Sequence, residues 1–306
     1  DWKPEYEKHL LGVQASMWTE FCSTAADVTY MVFPRLAALA EVAWSPKGAK
    51  NWEHFQLGLD NYLAHLEKKG MVYAKSMYNI QHTVMPENGK LRVKLECERT
   101  DVKIRYTLDG REPDMCSLVY TEPLSLEKGI TLRCASFVGD MRKGEILTLS
   151  LSDNKATGKP VLGANPRTTL LTNGARGSLR QSDFEWCTWD NLSSATFTVD
   201  LQRVESIHKV VLGCLTNYGM AVHKPKNLTV EISEDNRRFT QVGQREFSEE
   251  AIFRNGNYVE DVTFTFDKRK ARYVRVTAKG FGACPAYHYM RPGQPARYYF
   301  DEIQVE

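Results

Sequence analysis

Residues 10–17 carry apolar positions (Leu10, Leu11, Val13, Ala15, Met17) that run up to Trp18-Thr19-Glu20, which predicts a buried strand with an aromatic and a carboxylate at its C-terminal tip. The period then becomes helical. Pro34 pre-sets φ for a first turn, and Leu36, Leu39, Ala40 and Ala43 recur at helical spacing with Glu41 among them. A second stripe follows the turn cluster Ser45-Pro46-Lys47-Gly48: Trp52, Phe55, Leu59, Tyr62, Leu63 and Leu66 share one face, and Gly70 closes the helix. From about residue 81 the pattern alternates. Leu91, Val93, Leu95 and Cys97 are separated by Arg92, Lys94 and Glu96, then Val102, Ile104 and Tyr106 follow, with a tight turn at Asp109-Gly110. Strand-like alternation continues through Leu132, Cys134 and Ser136 and again through Ile146, Thr148 and Ser150, predicting a small antiparallel sandwich of immunoglobulin-like size over 81–152. The polar stretch 152–160 reads as a linker. Beyond it, strand patterns at 195–201, 209–214, 227–233, 259–266 and 272–278 predict a second β-sandwich or jelly roll over 161–306. The expected architecture is mainly β, in three domains: 1–80, 81–152 and 161–306.

Composition narrows the partners. The 40 basic and 38 acidic residues are interspersed and leave a formal charge of +2, so the sequence has no footprint for nucleic acid or an acidic membrane surface. No apolar run reaches the roughly 20 residues of a membrane span, and the opening DWKPEYEKHL has no signal-peptide core. The seven cysteines lack any CxxC spacing, which argues for small buried hydrophobes rather than thiolate metal ligands or a disulfide framework.

Trp18 and Glu20, i and i+2 on a strand, lean to the same side. A pyranose offers a flat C–H face and a rim of hydroxyls, so one aromatic and one charged acceptor suit it. The strings GVQASMWTE and YMVFPRLAALAEVAWSP that surround this pair resemble the last β/α unit of the (β/α)8 barrel of glycoside hydrolase family 20, the β-N-acetylhexosaminidases. The resemblance implies that Trp18 lines a pocket for terminal N-acetylhexosamine and that Glu20 hydrogen-bonds its hydroxyls. It also implies substrate-assisted retaining hydrolysis, in which the sugar's 2-acetamido oxygen attacks while an Asp orients it and a Glu protonates the leaving oxygen. That Asp-Glu pair belongs in a His-x-Gly-Gly-Asp-Glu context, which this sequence lacks; its sole Asp-Glu dipeptide, Asp301-Glu302, ends a strand pattern in the last domain. The expectation is therefore a parent glycosidase whose N-terminal catalytic region is missing here, no catalytic residue in this chain, and no hydrolysis by it. A barrel needs roughly 250 residues, so apolar faces of residues 10–45 should be partly uncovered.

The run IRYTLDGREPDMCSLVYTEPLSL, followed by ITLRCASF, resembles the chitobiase-type C-terminal domain, a scaffold in this reading. The strings LTNGARGS, KNLTVEISEDNRRFTQV, ARYVRVTAKG and YYFDEIQVE resemble the discoidin-like fold, also called the F5/8 type C domain, of family 32 carbohydrate-binding modules. Loops at one end of such a fold present ligand. The candidate sugar-binding residues are Tyr218 and His223 in one loop, Tyr287, His288, Tyr289 and Arg291 in another, and Trp186 and Trp189 on a third segment. The resemblance further implies a structural calcium site whose candidate side chains are Glu302 from the last strand and Asn173 or Asp190 from early loops, with no cofactor for catalysis. The implied partners are N-acetylhexosamine-containing glycans, and the implied location is periplasmic, cell-surface or secreted. A non-catalytic glycan-binding or adhesion protein built from the two β domains is the alternative.

Overall fold

A computed structural model describes residues 3–19, 22–179, 185–190 and 194–306. The chain divides into two compact units, one ending at Met77 and the other running Tyr78–Glu306. Among the described residues no helix is long and apolar enough to cross a membrane.

The first unit is helical. Helix α1 (Ala25–Val32) opens on a capping box in which Thr24 and Asp27 satisfy each other's backbone N–H groups. Helix α2 (Arg35–Trp44) follows Pro34 as the sequence predicts. Helix α3 (Trp52–Lys68) is capped by Asn51, buries Leu59, Leu63 and Leu66, and ends where Gly70 takes φ +66°. Neither α1 nor α2 buries a residue. The strand expected over 10–17 does not form: these residues carry no ladder, and Leu10 and Leu11 are 60% and 100% exposed. A lone strand has no neighbour to accept its hydrogen bonds, and this unit supplies none among its described residues.

The second unit contains two β-sandwiches. In the first, β1 (Ile80–Glu87) and β2 (Lys90–Cys97) form a hairpin closed by Asn88 and Gly89, both at positive φ. They share a sheet with β5 (Leu124–Leu126). The facing sheet joins β3 (Lys103–Thr107), β4 (Leu118–Val119), β6 (Thr131–Val138), β7 (Met141–Arg142) and β8 (Leu147–Ser150). The predicted alternation holds in β2, where Leu91, Val93 and Leu95 are buried between exposed charges. These side chains meet Ile104, Leu132, Cys134 and Leu149 in the core. Asp109 shapes its turn by accepting from the Arg111 backbone and side chain.

In the second sandwich one continuous ladder folds over on itself. Strands β11 (Ser194–Asn217) and β14 (Asn257–Lys279) pair along their length with register shifts after Asp200 and Ile207. One half carries β9 (Val161–Gly163), β12 (Asn227–Ser233) and β13 (Thr240–Glu246); the other carries β15 (Arg297–Val305) and, beyond it, β10 (Cys187–Asp190). The irregular registers at 200–209 let each long strand turn from one layer into the other. Phe197, Val199, Leu212, Val230, Val276, Phe300 and Ile303 fill the space between.

Residues 152–160 are not a free linker. Ala156 and Thr157 are buried, Lys155 N–H donates to Val305 O (2.9 Å), and Gly158 N–H donates to Thr172 O (2.6 Å). Gly174 and Ala175 of the second sandwich enter the core of the first, so the two share a seam.

Candidate functional site

Two places gather the chemistry of the second unit. The first is the seam. Glu302 is fully buried there; its Oε2 accepts from Gly174 N–H (2.9 Å) and its Oε1 faces the Asn154 amide (3.4 Å). Burial pushes the Glu302 carboxyl well above its usual range, against the pull of the Gly174 N–H. Asn173 turns its amide nitrogen to Glu185 (2.6 Å) while its oxygen accepts from Ala175 N–H (2.9 Å). Asn173 and Glu302 are thus brought to one corner. Asp190 is not: it is exposed, 3.5 Å from Arg297, which sits five residues before Glu302 on β15, about 16 Å away. Calcium asks for six to eight oxygens. Of the two carboxylates at this corner, Glu302 accepts from Gly174 N–H and Glu185 from the Asn173 amide with His82 on its other oxygen, and the Asn173 oxygen is taken by a backbone N–H, so these residues as arranged do not fit the ion.

The second place is the loop end beyond the start of β15. Tyr218 lies on a 3-10 turn after β11, and its ring stacks on His288 with centroids 4.6 Å apart. His223 follows that turn. Phe253 closes the short helix α4 (Glu249–Ile252), which is capped by Ser248. Phe253 packs edge-on against Phe281 (5.0 Å) and faces Tyr287 at 6.3 Å. Tyr287, 65% exposed, donates its hydroxyl to Glu249 Oε1 (2.7 Å), and that bond is the main cause of its raised phenol pKa. Together Glu249, Glu250, Phe253, Arg254 and Tyr287 line an open cleft of about 720 Å³.

The predicted sugar-binding residues fare differently from one another. Tyr287 and Tyr289 are exposed, and Tyr218 and Arg291 are half-buried on the same end of the fold. His223 and His288 are each 1% exposed and bonded to one another, Nε2 to Nε2 at 3.0 Å, so neither reaches a ligand at the surface. Trp186 and Trp189 are core residues. Trp186 is fully buried among Leu215 and Val222 and donates its indole N–H to Ser178 O; Trp189 packs on Phe197 and Phe300. A tryptophan packed into the core has no free face to offer a sugar. Glu249, Phe253 and Arg254 escaped the sequence reading; the signal that reveals them is the Ser248-Glu249-Glu250 helix start, which turns the chain back toward Tyr287.

His223, Cys284 and His288 hold ligand atoms within 4.8 Å of one another, a set of zinc type. The hydrogen bonds rule against it. His288 Nδ1 accepts from Met290 N–H (3.3 Å) and Arg291 N–H (3.1 Å), which leaves the proton on Nε2 and no lone pair there for a metal. Burial pulls the His223 pKa down to about 4 and lowers that of His288 as well.

In the first unit Trp18 is 78% exposed and belongs to no strand, while Glu20 lies outside the described residues. Ala38, Val42, Trp52 and Phe55 border an apolar hollow of about 290 Å³.

Residues 1–47 match the glycosyl hydrolase family 20 catalytic domain, residues 86–148 the chitobiase/beta-hexosaminidase C-terminal domain, and residues 162–289 the F5/8 type C domain. A beta-hexosaminidase of Porphyromonas gingivalis is 32% identical over 128 residues, which cover 38% of this chain and 15% of that protein. A beta-hexosaminidase of Akkermansia muciniphila is 37% identical over 68 residues, 22% of this chain and 14% of that protein. The matches thus span a small part of either relative's length. Among solved structures, chitosan-binding module 1 of a chitosanase/glucanase from Paenibacillus sp. IK-5 is 19% identical and covers 50% of this chain and 98% of that one, with a TM-score of 0.32. The C-terminal domain of a chitobiase from Bacteroides fragilis is 14% identical and covers 45% and 77%, with a TM-score of 0.27. Along the chain, then, the similarities follow in order: to part of the family 20 glycosyl hydrolase catalytic domain, to the chitobiase/beta-hexosaminidase C-terminal domain and to the F5/8 type C domain.

Proposed function

We propose that this chain is part of an exo-acting β-N-acetylhexosaminidase and that its own contribution is to hold glycan at the loop end of the second sandwich. One observation carries the binding half of this reading: the exposed Tyr287 ring stands beside Phe253 while Glu249 and Arg254 border the same cleft. An aromatic face covers the C–H side of a sugar, and the carboxylate and guanidinium exchange hydrogen bonds with its hydroxyls. In this reading Tyr218, which stacks on His288, and Tyr289 and Arg291, which share a loop with Tyr287, extend the contact. The ligand is N-acetylhexosamine at the end of a glycan met in the periplasm, at the cell surface or outside the cell.

The chemical half rests on the family. In the parent, Trp18 and Glu20 seat the terminal sugar, and the acid and the acetamide-orienting Asp come from sequence outside this chain. Asp301 and Glu302 offer no substitute, because both are fully buried and Asp301 is paired with Arg176. The chain alone is expected to bind without hydrolysing.

Calorimetric titration with N-acetylglucosamine, N-acetylgalactosamine and galactose tests the binding. Heat at millimolar sugar, weakened about tenfold in Tyr287→Ala, is the expected result, and flat traces for all three sugars would remove the reading. Turnover of an aryl N-acetylglucosaminide that disappears in Glu20→Ala would overturn the expectation of inactivity.

A further inference from the structure

Every ring nitrogen of the His223–His288 pair has an assigned role. His288 Nδ1 accepts from Met290 N–H and Arg291 N–H, so its proton sits on Nε2. That Nε2–H points at His223 Nε2, 3.0 Å away, which must therefore accept. His223 then carries its own proton on Nδ1, 3.1 Å from Ile252 O, and donates it there. The chain of donors runs in one direction only, from the turn after β14 through both rings to the end of α4. It thereby joins the two segments that border the cleft: Ile252 precedes Phe253, and His288 follows Tyr287.

The surrounding loop needs such a tie. Residues 284–294 contain no helix or strand; their base is closed by Cys284 N–H to Gln294 O (2.8 Å) and Gly293 N–H to Cys284 O (3.0 Å). Inside that base, the loop's two adjacent amides at 290 and 291 are held by the imidazole. The same arrangement recurs elsewhere in the chain with an oxygen acceptor, where Asp235 Oδ1 takes Arg237 N–H (2.8 Å) and Arg238 N–H (2.9 Å). At 288 a histidine replaces the short acceptor, and only a ring supplies a second nitrogen on its far side. The titratable and charged groups around the pair are Tyr218, Cys284 and Arg291, with Tyr298 behind Phe281 and Glu249 reached through Tyr287. None of them supplies an acceptor for the two amides.

We propose that His288 is a positioning residue: held as the Nε2–H tautomer by His223, it clamps the 288–291 turn and so fixes Tyr287 and Tyr289 on either side of it for the glycan. This rests on the glycan reading above, and two of the following measurements do not need sugar.

Long-range nitrogen–proton spectra of the chain at neutral pH should show His288 protonated on Nε2 and His223 on Nδ1. The reverse assignment, or metal-shifted ring nitrogens after zinc is added, would overturn the proposal. His288→Asn keeps an acceptor within reach of both amides, whereas His288→Leu removes it. Amide exchange at Met290 and Arg291 should stay slow in the native chain and the Asn variant and rise about tenfold or more in the Leu variant. Sugar titration should follow the same order, with the Asn variant within about threefold of native and the Leu variant about tenfold weaker. A Leu variant that binds as the native chain does, or keeps both amides slow, overturns the clamp. If the native chain binds no sugar, the glycan reading fails, and spectra and exchange still decide whether the clamp exists.

Discussion

His82 Nε2 lies 2.7 Å from Glu185 Oε1, with both side chains buried, and Glu185 Oε2 accepts from Asn173: a strand of the first sandwich and a loop of the second are joined through one carboxylate. Removing it leaves the buried Asn173 amide without its acceptor and takes the carboxylate from beside the buried His82 imidazole. Glu185→Ala should lower the stability of the second unit by roughly 3 kcal/mol, measured by urea unfolding. Glu127→Ala, which breaks the exposed Lys90–Glu127 pair of similar length (2.8 Å), should change it by about 0.5 kcal/mol or less. Equal losses would mean that the seam is wetter than its burial indicates.

Gly174 combines two constraints. Its φ is +89°, and an added Cβ would stand 2.8 Å from Leu91 Cδ1. Gly110 has a similar φ, +80°, with nothing within 4 Å. Gly110→Ala should therefore cost about 1 kcal/mol from backbone strain alone, and Gly174→Ala roughly 3 kcal/mol because the core of the first sandwich must also move. Paired thermal melts separate the two contributions; an indistinguishable pair would remove the steric part.

Glu302 and His223 drive the pH dependence in opposite directions. Burial raises the Glu302 pKa above its ordinary 4.5, so ionisation costs stability as pH rises past that value. Glu302→Gln should be more stable than the native chain at pH 7.5, with the gain shrinking to nothing near pH 4. The His223 pKa falls from 6.5 to about 4 in the fold, so the unfolded chain takes that proton first. Its contribution is fully present above pH 6.5 and is lost as pH drops toward 4, which should leave Glu302→Gln with a steeper acid limb than the native chain. Denaturant midpoints at four pH values across this range would test both; a gain in Glu302→Gln that is constant with pH contradicts the assignment.

Trp189 and Tyr287 should separate folding from recognition. Trp189 packs between Phe197 and Phe300, so Trp189→Ala should cost about 3–5 kcal/mol. Tyr287 is 65% exposed, so Tyr287→Ala should leave the melting temperature within about 2 °C of native while weakening sugar binding. A Tyr287→Ala protein that melts far below the native chain would make the ring a structural element instead.

The fold was largely legible because its periodicity is strong where strands bury one face: Leu91, Val93 and Leu95 announce both their strand and its inner side. Residues 10–17 misled, since an apolar run implies a strand only where neighbours exist to pair with it. The site was legible by segment and less so by residue. Tyr287 and His288 are adjacent in sequence and equally plausible as sugar contacts, yet one is out in solvent and the other 1% exposed, a difference set by loop closure through Cys284 and Gln294 that no local pattern encodes. Trp186 and Trp189 carried the right chemistry in the wrong place, one packed in the core just before β10 and the other inside it on β10. The segment 152–160 looked like a tether by composition, but its polar groups are spent on the seam.

Strand β15 begins beside His223, whose N–H donates to Arg297 O, and ends at the seam, where Val305 meets Asn154 and Lys155. Its eight steps span about 26 Å, so a single strand runs from the loop end that bears the Tyr287 cleft to the seam, where it is hydrogen-bonded to Asn154 and Lys155. On the reading proposed above, a glycan held at that cleft would stand one strand's length from the seam.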